Sequence, residues 1–147
     1  MASEQRRQLI SRRWIEARPE ARLRFPGSHV ILADAREEVA PYPDDPGNTS
    51  AFTRAFLRAP ADPEEVAGWY SARLLVAGWT LLSAPPEHPQ HWRLWARENL
   101  RFSLFVYDRS PFAKEGQGVP GPAEFEKPGT VHQVFFEARA AGFGKQE

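Results

Sequence analysis

The clearest periodic pattern in the chain lies at residues 62–79, which read DPEEVAGWYSARLLVAGW. Apolar residues recur there at helical spacing and form one continuous stripe, made up of Val66, Trp69, Tyr70, Leu74 and Ala77. Asp62 has the character of an N-cap, Pro63 suits the first helical position, and Gly78 supplies the left-handed residue that ends a helix. The pattern predicts a helix over residues 62–77 that packs its apolar stripe on a sheet.

The opposite side of this predicted helix is also poor in charge. Between Glu65 and Gly78 the only charged residue is Arg73. A glycine inside a helix costs about 1 kcal/mol relative to alanine, so Gly68 requires a reason. A helix that is apolar nearly all round is usually buried on two sides. We therefore expect another element or a partner to approach this side closely, at Gly68, Ala72 and Leu75.

The rest of the chain reads as one further helix and six strands. The helix covers residues 3–18, with Ser3 as N-cap, Pro19 at its end and a narrow apolar stripe of Ile10, Trp14 and Ala17. Strands are predicted at residues 28–39, 51–59, 79–83, 90–96, 100–108 and 130–140, and residues 41–50 and 109–129 form loops rich in Pro and Gly. The order α-β-β-α-β-β-β-β predicts an α+β domain, with an antiparallel sheet of about five to six strands and a central helix on one face.

Residues 91–107 predict a hairpin whose faces depend on the length of its turn. A two-residue turn at Glu98-Asn99 sets Trp92 and Leu94 beside Arg101 and Ser103. A three-residue turn at residues 97–99, with Asn99 in the left-handed conformation, instead unites the two apolar sets in the core. We prefer the three-residue turn because it separates apolar from polar positions. The other face then carries His91, Arg93, Trp95, Arg101, Phe105 and Tyr107, together with Phe135 of the last strand.

This second face is too aromatic for a surface that only meets water. Three explanations are open: cover by the N-terminal helix or the long loop, contact with a second subunit, or binding of a planar anionic ligand by aromatic and arginine side chains. In all three, Trp95 lies opposite Arg101. The long loop is either a mobile insertion or a docking arm that anchors Phe112 and Phe125 in the groove of a neighbour.

Composition and charge limit the class of protein. A chain of 147 residues with 41% hydrophobic residues suits a single folded domain, which we divide into a basic arm at 1–24 and the domain proper at 25–147. The net charge is zero, but residues 1–24 carry seven Arg against three Glu. The overall balance argues against a dedicated nucleic-acid binder. The absence of cysteine, of a signal sequence and of a long apolar run favours a cytoplasmic protein without a membrane span.

No pattern in the sequence indicates catalysis, and we expect neither an enzyme nor a bound metal or cofactor. His88 and His91 have metal-compatible spacing next to Glu87, but this segment is more typical of a polar lead into a strand. Asp44 and Asp45 lack the alternation of a calcium loop. Motifs for nucleophilic serine, phosphate cradles, dinucleotides and zinc proteases are all missing from the sequence.

The helix at 62–77 also carries a family resemblance. The pattern from FPGS through DPEEVAGWYSARLLVAGW resembles small bacterial α+β domains of uncharacterised function, in which an EEVxxWYxxxLxxxGW helix follows a strand pair and precedes more strands. The resemblance covers roughly residues 24–108. It implies the fold, and it implies no activity and no site residues.

Two predicted surfaces therefore require something to bury them: the aromatic face of the sheet and the charge-poor side of the helix at 62–77. Within the chain, only the helix at 3–18 is left to cover one of them. The leading hypothesis is a non-enzymatic interaction module, either a homodimer or a subunit of a larger assembly. The alternative is a domain that binds a small planar or anionic ligand, such as a nucleotide, on the aromatic sheet face. The candidate contact residues are Trp14, Gly68, Ala72, Leu75, Trp95, Arg101, Phe105 and Tyr107.

Overall fold

The computed structural model describes residues 9–39, 49–84, 91–107, 116, 118–140 and 142–143. Within these ranges, two α-helices lie among six strands, in the predicted order: α1 (Arg12–Ala17), β1 (His29–Arg36), β2 (Ala51–Ala59), α2 (Pro63–Val76), β3 (Thr80–Ser83), β4 (His91–Arg97), β5 (Leu100–Val106) and β6 (Thr130–Ala138). Short 3-10 helices occupy Pro19–Arg22 and Pro122–Glu126. The strands form one antiparallel sheet in the order β1-β2-β6-β5-β4-β3, which confirms the α+β class.

Helix α2 begins and ends as its sequence predicts. The Asp62 carboxylate accepts a hydrogen bond of 2.8 Å from the Glu65 amide, and Pro63 occupies the first turn. At the other end Gly78 adopts a φ of +89°. The amide of Trp79 then donates to the carbonyl of Leu74 and that of Gly78 to Leu75, which is the Schellman arrangement.

The front of α2, the side that faces the sheet, carries most of the predicted apolar stripe. Val66, Tyr70 and Leu74 are buried there, and Trp69 is partly buried against the core. The stripe is shifted slightly, because Ala67 is buried and Ala77 is exposed. Strand β4 also makes a polar contact with the helix: the Arg93 guanidinium donates a hydrogen bond of 2.6 Å to the Ser71 hydroxyl.

A buried hydrogen-bond chain fixes this front side to two other elements. The Tyr70 hydroxyl accepts from the Phe25 amide at 3.0 Å and lies 2.9 Å from Nε2 of His132 on β6. Both side chains are fully buried, and burial lowers the pKa of His132 to about 4. The imidazole is therefore neutral at pH 7, and its tautomer decides whether Nε2 accepts from the Tyr70 hydroxyl or donates to it.

The N-terminal helix is shorter than predicted and presents a different residue to the core. Ser11 is its N-cap, accepting from the Trp14 amide at 3.0 Å, and Ser3 lies outside the described residues. Because the helix begins at Arg12, it buries Ile15 against β1 and β2 and leaves Trp14 exposed. Of the predicted stripe of Ile10, Trp14 and Ala17, Ile10 packs on the core and is partly buried, whereas Trp14 and Ala17 are exposed, so the prediction was wrong for those two. Both α-helices cover the same face of the sheet.

The predicted three-residue turn of the β4–β5 hairpin was also wrong. Arg97 pairs with Leu100, so the turn contains only Glu98 and Asn99, and Glu98 takes the positive φ of +53°. Asn99 is held by the C-terminal segment, because its side chain donates to the Arg139 carbonyl at 3.0 Å and its carbonyl accepts from the Arg139 amide. Trp95 consequently lies opposite Phe102 in the core under the helices.

The one-residue change reverses the faces of β4 but not those of β5 and β6. Trp92 and Leu94 point to the outer face, the side of the sheet away from the helices, whereas Arg93 and Trp95 point to the core. The predicted positions of the β5 and β6 residues are confirmed. The helix side holds Leu100, Phe102, Leu104, Val106, Val134, Phe136 and Ala138, and the outer face holds Arg101, Phe105, Tyr107 and Phe135.

Candidate interaction surfaces

The back of α2 is exposed in the structure, in contrast to its front. Gly68, Ala72, Leu75 and Val76 line up along it as a single row, here named the back stripe. A Cβ built at Gly68 meets no described atom within 4 Å. The close approach that Gly68 predicts is therefore not supplied by the part of the chain that the structure describes.

Strand β3, at one end of the sheet, carries two further exposed apolar residues. Leu75 is 72% exposed, Val76 90%, Leu81 51% and Leu82 40%, and these four residues are here named the apolar edge. Residues 74–84 carry no charged side chain. Large apolar side chains that are exposed as a cluster mark interaction sites more often than isolated ones do.

Sequence reasoning found Leu75 of this edge and missed the other three residues. Val76 was assigned to neither side of the predicted helix, and residues 79–83 were predicted only as a strand. The signal was present in the uncharged run of residues 74–84. Strand β3 is short and its register shifts between Leu81 and Ser83, so its last residues do not alternate cleanly between two faces.

The outer face of the sheet is aromatic, as predicted, and its rings pack on one another. Trp92 stacks on Phe105 with centroids 6.2 Å apart, Phe105 on Tyr107 at 6.4 Å, and Tyr107 on Phe56 at 6.5 Å. Nearer the other end of the strands, Phe135 stacks on Phe52 at 5.1 Å. The rings therefore form cross-strand ladders over β4, β5, β6 and β2.

Part of the long loop covers this face. Phe125, in the 3-10 helix Pro122–Glu126, packs edge-on against Tyr107 at 5.6 Å, and Val119 joins the same cluster. Phe125 is therefore an anchor within its own chain and not in the groove of a neighbour. Phe112, the other predicted anchor, lies outside the described residues.

Ion pairs hold this covering segment on the sheet. The Arg58 guanidinium lies 2.9 Å from the Glu124 carboxylate, and Lys127 lies at the same distance from its other oxygen. Hydrogen bonds from Lys127 and then Arg58 hold the pKa of Glu124 below its usual range. At Gly129 a side chain has no room, because a Cβ there would lie 2.6 Å from the Ala59 carbonyl oxygen.

The eight predicted contact residues occupy three different environments. Trp95 is in the core under α2, so its predicted position opposite Arg101 was wrong. Arg101, Phe105 and Tyr107 lie on the outer face, where Arg101 sits 4.7 Å above the ring of Phe143. The remaining four are exposed: Trp14 on α1, beneath the Arg18 guanidinium, and Gly68, Ala72 and Leu75 on the back stripe.

The part of the chain that the structure describes contains neither a cluster of metal ligands nor a membrane-spanning helix. No three His, Cys, Asp or Glu side chains lie close enough together there to hold a metal ion. His88, Asp44 and Asp45 are outside the described residues, as is the side chain of His91. No described helix has the length and apolar character needed to cross a bilayer.

Comparisons with known proteins identify no relative of this chain. The chain matches no protein-family model, no curated protein and no solved structure.

Proposed function

We propose that the protein is a non-enzymatic interaction module that self-associates through its apolar edge, Leu75, Val76, Leu81 and Leu82. The exposure of Val76 and Leu75 on a helix whose other side is buried carries this proposal. Burying a Leu or Val side chain contributes roughly 1.5–3 kcal/mol, so an edge of four such residues is a strong candidate for association.

A second copy of the chain is the occupant that the chemistry of this edge favours. The edge has no charge, so two copies can meet there without like-charge repulsion. Most homo-oligomers use one patch twice across a two-fold axis, which a self-complementary apolar surface allows. Gly68 and Ala72 lie on the same stripe and give the partner helix room to approach closely.

Side chains, and not strand pairing, form the proposed contact. Strand β3 has four residues and a register shift after Leu81. Short, irregular edge strands are poor templates for a second strand. We therefore expect helix α2 to provide the centre of the interface, with Leu81 and Leu82 at its margin.

The alternative of a planar ligand on the outer face has weaker support. Phe105 and Tyr107 are stacked with neighbouring rings, and Phe125 covers one edge of that cluster. At the other ring pair, the Arg36 guanidinium lies 4.9 Å above the ring of Phe52. The ring faces that a base would need are thus already in contact with side chains of the chain itself.

Light scattering across a range of concentrations tests the proposal. The wild-type chain should reach twice its monomer mass at high micromolar concentration. The double substitution Leu75→Glu with Val76→Glu should remain a monomer, because a dimer would then bury four carboxylates without partners. The matched control is Val39→Glu, since Val39 is also an exposed apolar residue but lies beyond β1, at the other end of the sheet.

Spin labels give a direct readout of the contact. The chain has no cysteine, so Val76→Cys and Val39→Cys each introduce a single labelling site. Label pairs at position 76 should be close across the dimer, and pairs at position 39 should be far apart. A wild-type chain that stays monomeric throughout the range would refute self-association, and a dimer unaffected by the double substitution would place the interface elsewhere.

A further inference from the structure

Strand β1 forms one edge of the sheet, at the end opposite to β3. It has eight residues, and after an irregularity near its start its pairing with β2 is regular over residues 32–36. Asp34 and Arg36 are exposed, as are the neighbouring Ala33 and Glu37. The second half of β1 is therefore a regular, open strand edge, which is the kind of edge that can accept another strand.

The backbone groups of Asp34 and Arg36 point away from β2. Just beyond the strand, Val39 and Thr49 exchange both backbone hydrogen bonds, at 2.9 and 2.8 Å. Arg36 pairs with Phe52 in the same register, so the alternation of bonded and non-bonded pairs carries through into β1. Its odd residues bond to β2, and its even residues present their N–H and C=O groups to the open side.

Glu38 shows this alternation directly and also limits the open edge. Its amide donates outward to the carbonyl of Ile10 at 2.9 Å, so the N-terminal segment already occupies the edge at this position. The corresponding groups of Asp34 and Arg36 have no backbone partner among the described residues. A further strand can therefore pair with β1 only before Glu38.

The charges on this edge select one way to pair two copies of β1. Within residues 32–36, antiparallel copies can bond through both Asp34 and Arg36 in two registers. One register sets Asp34 opposite Asp34 and Leu32 opposite Arg36. The other sets Asp34 opposite Arg36 twice, with Ala35 opposite Ala35 at the centre. Opposite charges across two strands stabilise their pairing and like charges destabilise it, so the second register is favoured.

The charged side chains of this register are already held in place on the outer face. Asp34 forms an ion pair with Arg54 at 2.7 Å, and the Arg36 guanidinium lies 4.9 Å above the ring of Phe52. A second copy would place its Arg36 beside Asp34 and extend this row of charges across the new strand pair. Each copy would do so once, because the pairing is symmetric.

The helix side of the strand is complementary in the same register. Glu37 of the second copy lies opposite Ala33, which lines a cleft together with Arg22 and Arg24. These two arginines are exposed, and like Glu37 they have no ion-pair partner among the described residues. The small side chains of Ala33 and Ala35 leave room for the approach on this side.

We propose that β1 pairs with β1 of a second copy, antiparallel about Ala35. This contact is separate from the apolar edge and does not rest on it. Exposed ion pairs, and backbone bonds that replace bonds to water, contribute less than apolar burial does, so the β1 contact is the weaker of the two. The two contacts lie at opposite ends of the sheet and together link copies into an open row.

Disulfide trapping tests the register, because the chain has no cysteine. Ala35 faces Ala35 as a pair without backbone bonds, whose Cα atoms are about 4.5 Å apart and within the range of a disulfide. Ala33 lies about 13 Å from Ala33 of the second copy, which is too far. Ala35→Cys should therefore form linked dimers at least about tenfold faster than Ala33→Cys, although position 33 is the more exposed.

A mixture gives a second test of the register at two exposed positions. Chains with Ala33→Cys and chains with Glu37→Cys should link to one another, whereas neither should link to itself. All of these chains also carry Leu75→Glu and Val76→Glu, so the apolar edge does not contribute.

Charge reversal tests the complementarity of the edge. In the Ala35→Cys chain, Arg36→Glu sets acids opposite Asp34 and should slow linking about tenfold, and Asp34→Arg should do the same with two arginines. Mixing the two reversed chains should restore the rate, because every arginine then faces an acid. The control is Arg97→Glu, an exposed arginine of β4, which should leave the rate unchanged.

Two results would overturn the proposal. One is that Ala35→Cys links no faster than Ala33→Cys, which would leave only random collision. The other is that mixing the reversed chains restores nothing, which would remove the role of charge. Since the apolar edge is disabled in every chain, neither result bears on the proposed dimer, and a failure of that dimer would leave the linking result unchanged.

Discussion

The two sides of helix α2 are made of similar residues, but one side is buried and the other is exposed. The front is buried and tied down by Tyr70, which joins the segment at Phe25 to His132 of β6. The back stripe is equally poor in charge, but no described residue comes within 4 Å of a Cβ at Gly68. Whether a helix face is buried therefore depends on the rest of the fold. The composition of the face shows only that it is apolar enough to pack against something.

The difference also separates folding from association within one helix. Substitutions on the front should change the free energy of unfolding of the chain, because its contacts are all intramolecular. Substitutions on the back should change association and leave the folded monomer nearly unaffected. Four measurements can break or sharpen this contrast.

The largest effect that we expect is a loss of stability in acid, caused by His132 on the front side. Its folded pKa of about 4 lies below the unfolded value of about 6.5, so between these pH values the unfolded chain binds a proton that the native chain does not. Stability is therefore complete above pH 6.5 and falls by about 3 kcal/mol as the pH drops to 4.

Urea unfolding at a series of pH values measures this loss. His132→Gln is the matched variant, because its side-chain amide can either accept from Tyr70 or donate to it, and it does not titrate. The variant should show little change between pH 6.5 and 5, where the wild-type chain already weakens. Parallel curves for the two proteins would contradict the role assigned to His132.

The next effect concerns the hydroxyl of Tyr70. Tyr70→Phe retains the ring but leaves the Phe25 amide and the His132 imidazole without their shared partner in a buried site. We expect a loss of about 2 kcal/mol in the free energy of unfolding at pH 7. Tyr107→Phe is a useful comparison, because that hydroxyl donates to the half-buried Gln133 at 2.8 Å and should cost less. Equal losses in the two variants would contradict a special role for the buried chain.

These front-side contacts show where sequence reasoning succeeds. The limits of α2 follow from Asp62 and Gly78, because capping depends on residues within one turn of the helix end. The order of helices and strands along the chain and the α+β class likewise follow from local apolar patterns, whereas the order of the strands within the sheet was not predicted. Tyr70 was assigned to the core correctly, but its partners Phe25 and His132 are distant in sequence and gave no local signal.

The β4–β5 hairpin shows where sequence reasoning fails. The three-residue turn was preferred because it keeps Trp92 and Leu94 in the core and His91, Arg93 and Trp95 outside. Two long-range contacts favour the shorter turn. Arg139 holds Asn99 in place, and the Arg93 guanidinium reaches Ser71 on α2. A long side chain can lie on the core side when its charged end finds partners, so polarity alone did not fix the register.

The candidate sites were found only in part, for the same reason. Leu75 was identified from the helical wheel, whereas Leu81 belongs to a different element. The cleft that the N-terminal segment forms with strands β1 and β2 was not predicted at all. Ala33 and Ala55 carry no chemical signal in the sequence, and they become a floor only when β1 and β2 pair under the N-terminal segment.

On the back of α2, the monomer should gain stability from Gly68→Ala. A Cβ at this position meets no described atom within 4 Å, and alanine favours a helix by about 1 kcal/mol over glycine. We expect a stabilisation of that size in urea unfolding at low protein concentration. Gly68→Leu should share the gain in the monomer but weaken the dimer, since the larger side chain occupies the space of the partner helix. A loss of stability in the alanine variant would mean that something already covers Gly68 within the chain.

The smallest effect on the monomer should come from Leu75, although it lies at the centre of the proposed interface. Its side chain is largely exposed, so Leu75→Ser should change the free energy of unfolding by no more than about 0.5 kcal/mol at low concentration. At high concentration the wild-type chain should gain stability from association, and the variant should not, because only a dimer links stability to concentration. Leu74→Ser is the matched control, since Leu74 is the buried neighbour on the front. This variant should be less stable than the wild-type chain at every concentration. If Leu75→Ser instead weakened the monomer as strongly as Leu74→Ser does, the back of α2 would be part of the core and the contrast between its two sides would fail.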